Sequence, residues 1–118
     1  VLNDDTIPRL RAKAVAGSAN NQLAEDCHGE MLRQRGILYA PDYVINAGGI
    51  INISYEGPDY DRQAAFDHCA GIDRTLTDIF RLAEHSELAT NLVADQLAEQ
   101  RLAEAREARP AQPLRRTA

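Results

Sequence analysis

From Tyr60 onward the apolar residues Ala65, Cys69, Ile72, Leu76, Ile79 and Ala83 recur at alternating steps of four and three. That spacing predicts one long amphipathic helix. Gly71 falls inside it and weakens it by about 1 kcal/mol relative to alanine without breaking it. Thr90 is placed to cap a further helix running through Val93, Leu97 and Ala105, whose remaining positions mix Glu and Arg. Before Tyr60 the pattern is shorter. Asp4, Asp5 and Thr6 ahead of Ile7 and Pro8 predict the start of a short helix. Ala12 to Ala19 (AKAVAGSA) is a run of small residues around Val15, as in a central parallel strand covered on both faces, ending at Gly17 and Ser18. Leu23 to Arg35 predicts a helix with Leu23, Cys27 and Met31 or Leu32 on one face and Gly36 as the residue that ends it. Ile37 to Ala40 reads as a second buried strand. Pro41, Asp42 and Tyr43 interrupt it, a strand-like Val44–Ile45 follows, and Asn46-Ala47-Gly48-Gly49 turns into a helix.

Strand, helix, strand, turn and helix in this order are the elements of an α/β protein with an open parallel sheet. Two strands cannot form such a sheet alone, because their edges need neighbours. The chain therefore reads as part of a larger unit, one that either docks on a partner segment or pairs its free edges with another copy. A start at Val1 with no charged-then-apolar leader fits a piece of something longer rather than a secreted precursor. The tail 109–118 has prolines and arginines without periodicity and is expected to be disordered.

Composition narrows the classes of partner. A formal charge of −5 and clustering of arginines only at Arg109, Arg115 and Arg116 offer no basic face for nucleic acid. No apolar run reaches the roughly 20 residues needed to cross a bilayer, so no membrane partner is expected. Cys27 and Cys69 lie far apart in predicted helices and read as reduced thiols of a cytoplasmic protein. Cys27-His28 and His68-Cys69 place adjacent side chains about 100° apart on a helix, so neither pair can give two ligands to one metal and no metal site is expected. The charges between Glu84 and Arg109 read as a solvated helix face.

Two segments carry residues suited to chemistry. In AGSANNQLAED, residues 16–26, Asn20 and Asn21 follow a strand at its carboxyl end, where ligands of open α/β sheets collect. A carboxamide there can donate to a carboxylate and accept from another carboxamide without bringing charge. Asparagines also suit a plain turn that caps the next helix, and residue type alone favours that plainer use. In ILYAPDYVINAGGIINIS, residues 37–54, Asn46 is followed by small residues that let a bulky ligand approach the backbone, and the helix from Gly49 turns unpaired N–H groups toward it. An ordinary glycine-rich turn would look the same.

AVAGSANNQLAED and HGEMLRQRGILYAPDYVINAGGIIN are similar, nearly word for word, to the leucine/phenylalanine/valine dehydrogenase branch of the glutamate dehydrogenase superfamily, most of all to its leucine-specific members. A looser likeness continues through GIDRTLTDIF and VADQLAEQRLAEAR, so that residues 10–105 are covered. The resemblance implies the end of a Rossmann-like, doubly wound parallel sheet over residues 1–54, with the C-terminal helices over 55–108. It implies oxidative deamination of an apolar L-amino acid to its 2-oxo acid, with NAD as hydride acceptor, in a homo-oligomer. By the same resemblance Asn20 reaches the substrate carboxylate and, with Ala19, the nicotinamide. Asn46 lies beside the nicotinamide carboxamide, and Ile50 and Ile53 line the pocket for the substrate side chain. Glutamate-specific relatives carry a serine at the position of Ile53, and an isoleucine cannot solvate a distal carboxylate.

The departures are as informative. The family's lysine anchor, lysine base and proton-transfer aspartate belong to an N-terminal domain, whereas the single lysine here, Lys13, matches no catalytic position. No Gly-x-Gly-x-x-Gly turn is present for the pyrophosphate. The chain is thus expected to hold one wall of a site, to need the N-terminal segment of the same enzyme, and to contain no catalytic residue of its own. The competing reading is a non-catalytic module that self-associates through its strand edges and long helix.

Overall fold

In the computed structural model, which describes residues 1–109, the centre of the fold is a parallel pair of short strands, β1 (Ala14–Val15) and β2 (Leu38–Tyr39), joined through helix α1 (Cys27–Gln34). Ala14 lies opposite Leu38 and Val15 opposite Tyr39, with the Leu38 and Ala40 amides donating to the carbonyls of Lys13 and Val15. Helices α2 (Asp42–Ile45), α3 (Gly48–Ser54), α4 (Arg62–Ser86) and α5 (Thr90–Ala108) follow.

Helix α1 stops because Gly36 takes a φ of +67°. The Gly36 amide then donates to Arg33 and the Ile37 amide to Leu32, a Schellman closure whose hydrophobic contact joins Ile37 to Leu32, both buried. Helix α1 begins at Cys27 rather than at the predicted Leu23. Residues 22–24 are instead taken by the N-terminal segment: Leu2 donates to Gln22, Ala24 donates to Leu2, and Leu2 bridges Leu23 in parallel. Leu2 and Ile7, the latter in a single 3-10 turn over Ile7–Arg9, join Leu32, Ile37 and Tyr39 in one core cluster. Arg35 holds that segment from above by donating to the carbonyls of Ile7 and Leu10.

Both predicted strands are shorter than expected and less covered. Ala14 and Leu38 are exposed, since among the described residues no third strand covers them. Val44–Ile45, strand-like by residue type, lies in the helical turn α2, where the Val44 and Ile45 amides both donate to Pro41. The bonds that Asp42 accepts from Asn21 and Tyr39, and the one that Tyr43 donates to Asp95, override the β propensity of that pair.

Helix α4 runs through Gly71 without a break and is capped by Asp61, whose side chain accepts from the Ala64 amide. Its Ile79 and Ala83 pack with Val93 and Ala94 of α5 in a second core cluster. Thr90 is the first residue of α5 and not its cap; its hydroxyl instead donates to the Tyr39 carbonyl at 2.6 Å and closes the free edge of β2. The α1–α5 junction is tight: buried Asn91 donates to the Asp26 carbonyl, and a Cβ at Gly29 would lie 2.0 Å from Asn91 Oδ1. The tail expectation for 109–118 concerns residues outside those described, apart from Arg109.

Candidate functional site

The loop after β1 and the loop after α2 meet at the carboxyl end of the strand pair. Asn46, the residue that ends α2, donates from Nδ2 to Asn20 Oδ1 at 2.6 Å and to the Ser18 carbonyl at 3.3 Å. The two asparagines singled out from sequence, separated by 26 positions, thus form one hydrogen-bonded pair. Asn46 occupies this place at the end of a helical turn and not, as predicted, at the end of a strand. Of the four carboxamide functions, Asn20 Nδ2 and Asn46 Oδ1 make no hydrogen bond to the described residues, leaving one NH2 group with two N–H donors and one acceptor oxygen on the surface.

Several side chains outside the predicted set hold this arrangement. Gln22 is buried against Gly17, where a Cβ would come within 2.6 Å of its Nε2, so a larger residue there would push the Gln22 amide aside. Asn21 has a φ of +54°, in the left-handed region that asparagine tolerates. Its amide donates to Asp42 Oδ2 at 3.0 Å, and Tyr39 donates to Asp42 Oδ1 at 2.9 Å. Burial first, and the Asp42 hydrogen bond second, push the Tyr39 phenol far above its ordinary range, so that it stays a donor. Tyr43 is raised in the same way by burial and by Asp95, to which it donates at 2.8 Å. The sequence signal for this support was an acid at the start of α2 with tyrosines three residues before and one after it.

Helix α3 places Ile50 and Ile53 on one face, and both point into solvent, 76% and 63% exposed. The opposite side of α3 lies on α4, fixed by Tyr55 against His68 at 3.1 Å and by Cys69 donating to the Gly48 carbonyl. Tyr60 adds a donation to Asn52 from the connecting loop. Gly48 therefore meets α4, while Gly49 faces open space. Ala19 is exposed beside Asn20.

These residues line an open surface. A cavity of about 550 Å³ lies elsewhere, between the end of α1, β2 and the α4–α5 turn, with Arg33, Leu38, Phe80 and Leu88 among its walls. A smaller hollow of about 110 Å³ sits behind the site, against Asn21, Tyr39, Asp42, Tyr43 and Asn91. Among the described residues no three His, Cys, Asp or Glu side chains gather as a metal site, and no helix is long and apolar enough to cross a membrane.

A short parallel pair with amide-bearing loops at its carboxyl end, followed by long packed helices, is the closing part of an open α/β domain. No family model matches the chain. It is 47% identical over 108 residues to the leucine dehydrogenase of Bacillus cereus, covering 92% of this chain and 30% of that protein. It is 50% identical over 103 residues to the L-tryptophan dehydrogenase of Nostoc punctiforme, covering 86% of this chain and 29% of the relative. The crystal structure of L-tryptophan dehydrogenase from Nostoc punctiforme superposes with a TM-score of 0.85 at 45% identity, over 92% of this chain and 33% of that one. The chain belongs to the amino-acid dehydrogenase family that these enzymes represent. It spans about 30% of the length of the curated relatives it matches.

Proposed function

We propose that this chain supplies one wall of the active site of an NAD-dependent L-amino-acid dehydrogenase that oxidises an apolar amino acid such as leucine. The reaction takes the amino acid, NAD+ and water to the 2-oxo acid, ammonium, NADH and a proton. Residues 1–54 end the NAD-binding domain and residues 55–108 are the helices that follow it. The observation that carries this reading is the Asn20–Asn46 pair, hydrogen-bonded at 2.6 Å with the two N–H donors of Asn20 Nδ2 and the Asn46 Oδ1 acceptor left over. A carboxamide such as that of nicotinamide has the complementary oxygen and N–H groups, and exposed Ala19 leaves room for a ring beside it. NAD, when bound, supplies the acceptor for the hydride.

The chain's own residues orient and select. Asn20 Nδ2 is the donor available to the substrate carboxylate, and Asn46, by holding Asn20 Oδ1, fixes which way that donor points. Ile50 and Ile53 offer exposed branched surface to an apolar side chain, each buried methylene contributing about 1 kcal/mol. A glutamate carboxylate there would lose water without gaining a partner. The base and the pyrophosphate loop come from the remainder of a longer, homo-oligomeric, cytoplasmic enzyme.

The test is kcat/KM of the full-length protein for leucine, valine, phenylalanine and glutamate. Apolar substrates should exceed glutamate by orders of magnitude; glutamate at or above them would overturn the pocket assignment. A self-associating module is the second reading, favoured by the exposure of Ile50, Ile53 and Phe66. A native protein of 13.0 kDa chains that forms stable oligomers and binds no NAD would favour it.

A further inference from the structure

Asp42 touches neither the open face of the amide pair nor the isoleucines, yet it is bonded to both segments that carry the asparagines. Its Oδ2 accepts from the Asn21 amide at 3.0 Å, immediately beside Asn20, and its carbonyl accepts from the Asn46 amide at 2.9 Å. Its Oδ1 accepts from Tyr39 at 2.9 Å, and the Tyr39 ring is buried in the cluster with Leu2, Ile7, Leu32 and Ile37. The carboxylate is therefore anchored on the core at one oxygen and holds the loop at the other. Among what it holds is the left-handed backbone of Asn21, φ +54°, one of several conformations open to an asparagine in a free loop.

We infer that Asp42 is the positioning residue of the site: the Tyr39–Asp42–Asn21 relay sets the place of Asn20 relative to Asn46. This rests on the amide pair being the binding surface proposed above. An Asp42→Ala change removes both side-chain bonds and frees the loop to rotate Asn20 away from Asn46. Asp42→Asn can keep the relay, since its oxygen can accept from the Asn21 amide while its Nδ2 donates to the Tyr39 hydroxyl oxygen.

The experiment is a double-mutant cycle on the full-length dehydrogenase, reading kcat/KM for the amino acid. Asp42→Ala should lower it about tenfold or more in the wild-type background, the loss of a hydrogen bond to a charged group. In the Asn20→Ala background the same change should cost less than about twofold, because there is no longer a donor to place. Asp42→Asn should restore most of the loss. Equal losses in both backgrounds would overturn the inference, as would an unaltered kcat/KM in Asp42→Ala. An unchanged kcat/KM in Asn20→Ala alone would instead remove the amide pair as a binding surface, and the positioning role with it. Should Asp42→Ala fail to fold, Tyr39→Phe gives the same cycle by cutting the relay at the core end, with the same expected dependence on Asn20.

Discussion

Polarity without charge is the chemical character of the Asn20–Asn46 pair, and it makes the pair sensitive to shape more than to pH. Replacing Asn46 with leucine keeps the volume but removes the donor that fixes Asn20 Oδ1 at 2.6 Å. In the full-length enzyme Asn46→Leu should raise the KM for NAD roughly tenfold, with unfolding unchanged; an unaltered KM would return Asn46 to a plain helix-ending role. Titration enters through the supporting residues. The folded Tyr39 phenol lies far above its ordinary value of 10.0, through burial and then Asp42. A raised phenol pKa means that the folded chain holds a proton the unfolded chain has released, so this stability is complete below pH 10 and declines as pH rises above it. Tyr39→Phe should accordingly flatten the alkaline fall in urea midpoint, and an equally steep fall would sink the idea. Asn20 and Asn46 were singled out by the resemblance, since residue type alone favoured a plain turn. Their contact was not legible, since it depends on α2 being helical, and Val44–Ile45 read locally as strand. The support from Asp42 left only the spacing of Tyr39, Asp42 and Tyr43 as a trace, because nothing local says that an acid after proline will be buried.

At the scale of elements, the helices with a long unbroken stripe were read correctly, while the short strands were read by type but not by extent and Val44–Ile45 was read as strand where α2 is helical. Ala65, Ile79 and Ala83 of the predicted stripe are buried as the 3.6-residue period requires, whereas two-residue strands leave almost no periodicity to read. Gly36 is the one helix stop that sequence and structure share in detail, and Gly36→Ala should destabilise by about 1 kcal/mol through its left-handed φ. Gly29→Ala should cost more, about 1–3 kcal/mol, because the new Cβ would displace buried Asn91 and break its bond to Asp26. Denaturant midpoints of the two variants test the order; a Gly29→Ala chain as stable as wild type would show that α1 and α5 can slide apart at no cost. The two edges of the sheet differ as well. The β2 edge is closed by Thr90, while alternation along β1 turns the Ala14 amide away from β2.

For the molecule as a whole, the same asymmetry bears on the function proposed above. Under that proposal the open edge of β1, the exposed Ile50, Ile53 and Phe66, and the outward half of α5, exposed from Ala98 to Arg109, are surfaces for the rest of the enzyme to cover. The molecule extends over 61 × 30 × 27 Å, too elongated to bury them on itself. Fold class could be read from sequence because strand, helix and strand follow one another within residues 12–40. The closed form of the proposed site could not, because in that proposal its other walls come from outside these 118 residues. The sharpest consequence concerns the chain by itself. The proposed wall would offer a nicotinamide two hydrogen bonds, each contributing about 0.5–1.5 kcal/mol net, against several kcal/mol of lost translational and rotational freedom. Binding of NAD to the isolated chain should therefore be weaker than about millimolar, roughly −4 kcal/mol, and turnover of leucine should be undetectable. The Ala14 amide, with no strand beside it, should exchange with solvent orders of magnitude faster here than in the full-length enzyme. Calorimetric titration with NAD and hydrogen exchange at Ala14 read the two halves of this expectation independently. Tight NAD binding by the isolated chain would mean that a pyrophosphate site exists within it, and a protected Ala14 would mean that copies of the chain pair through β1.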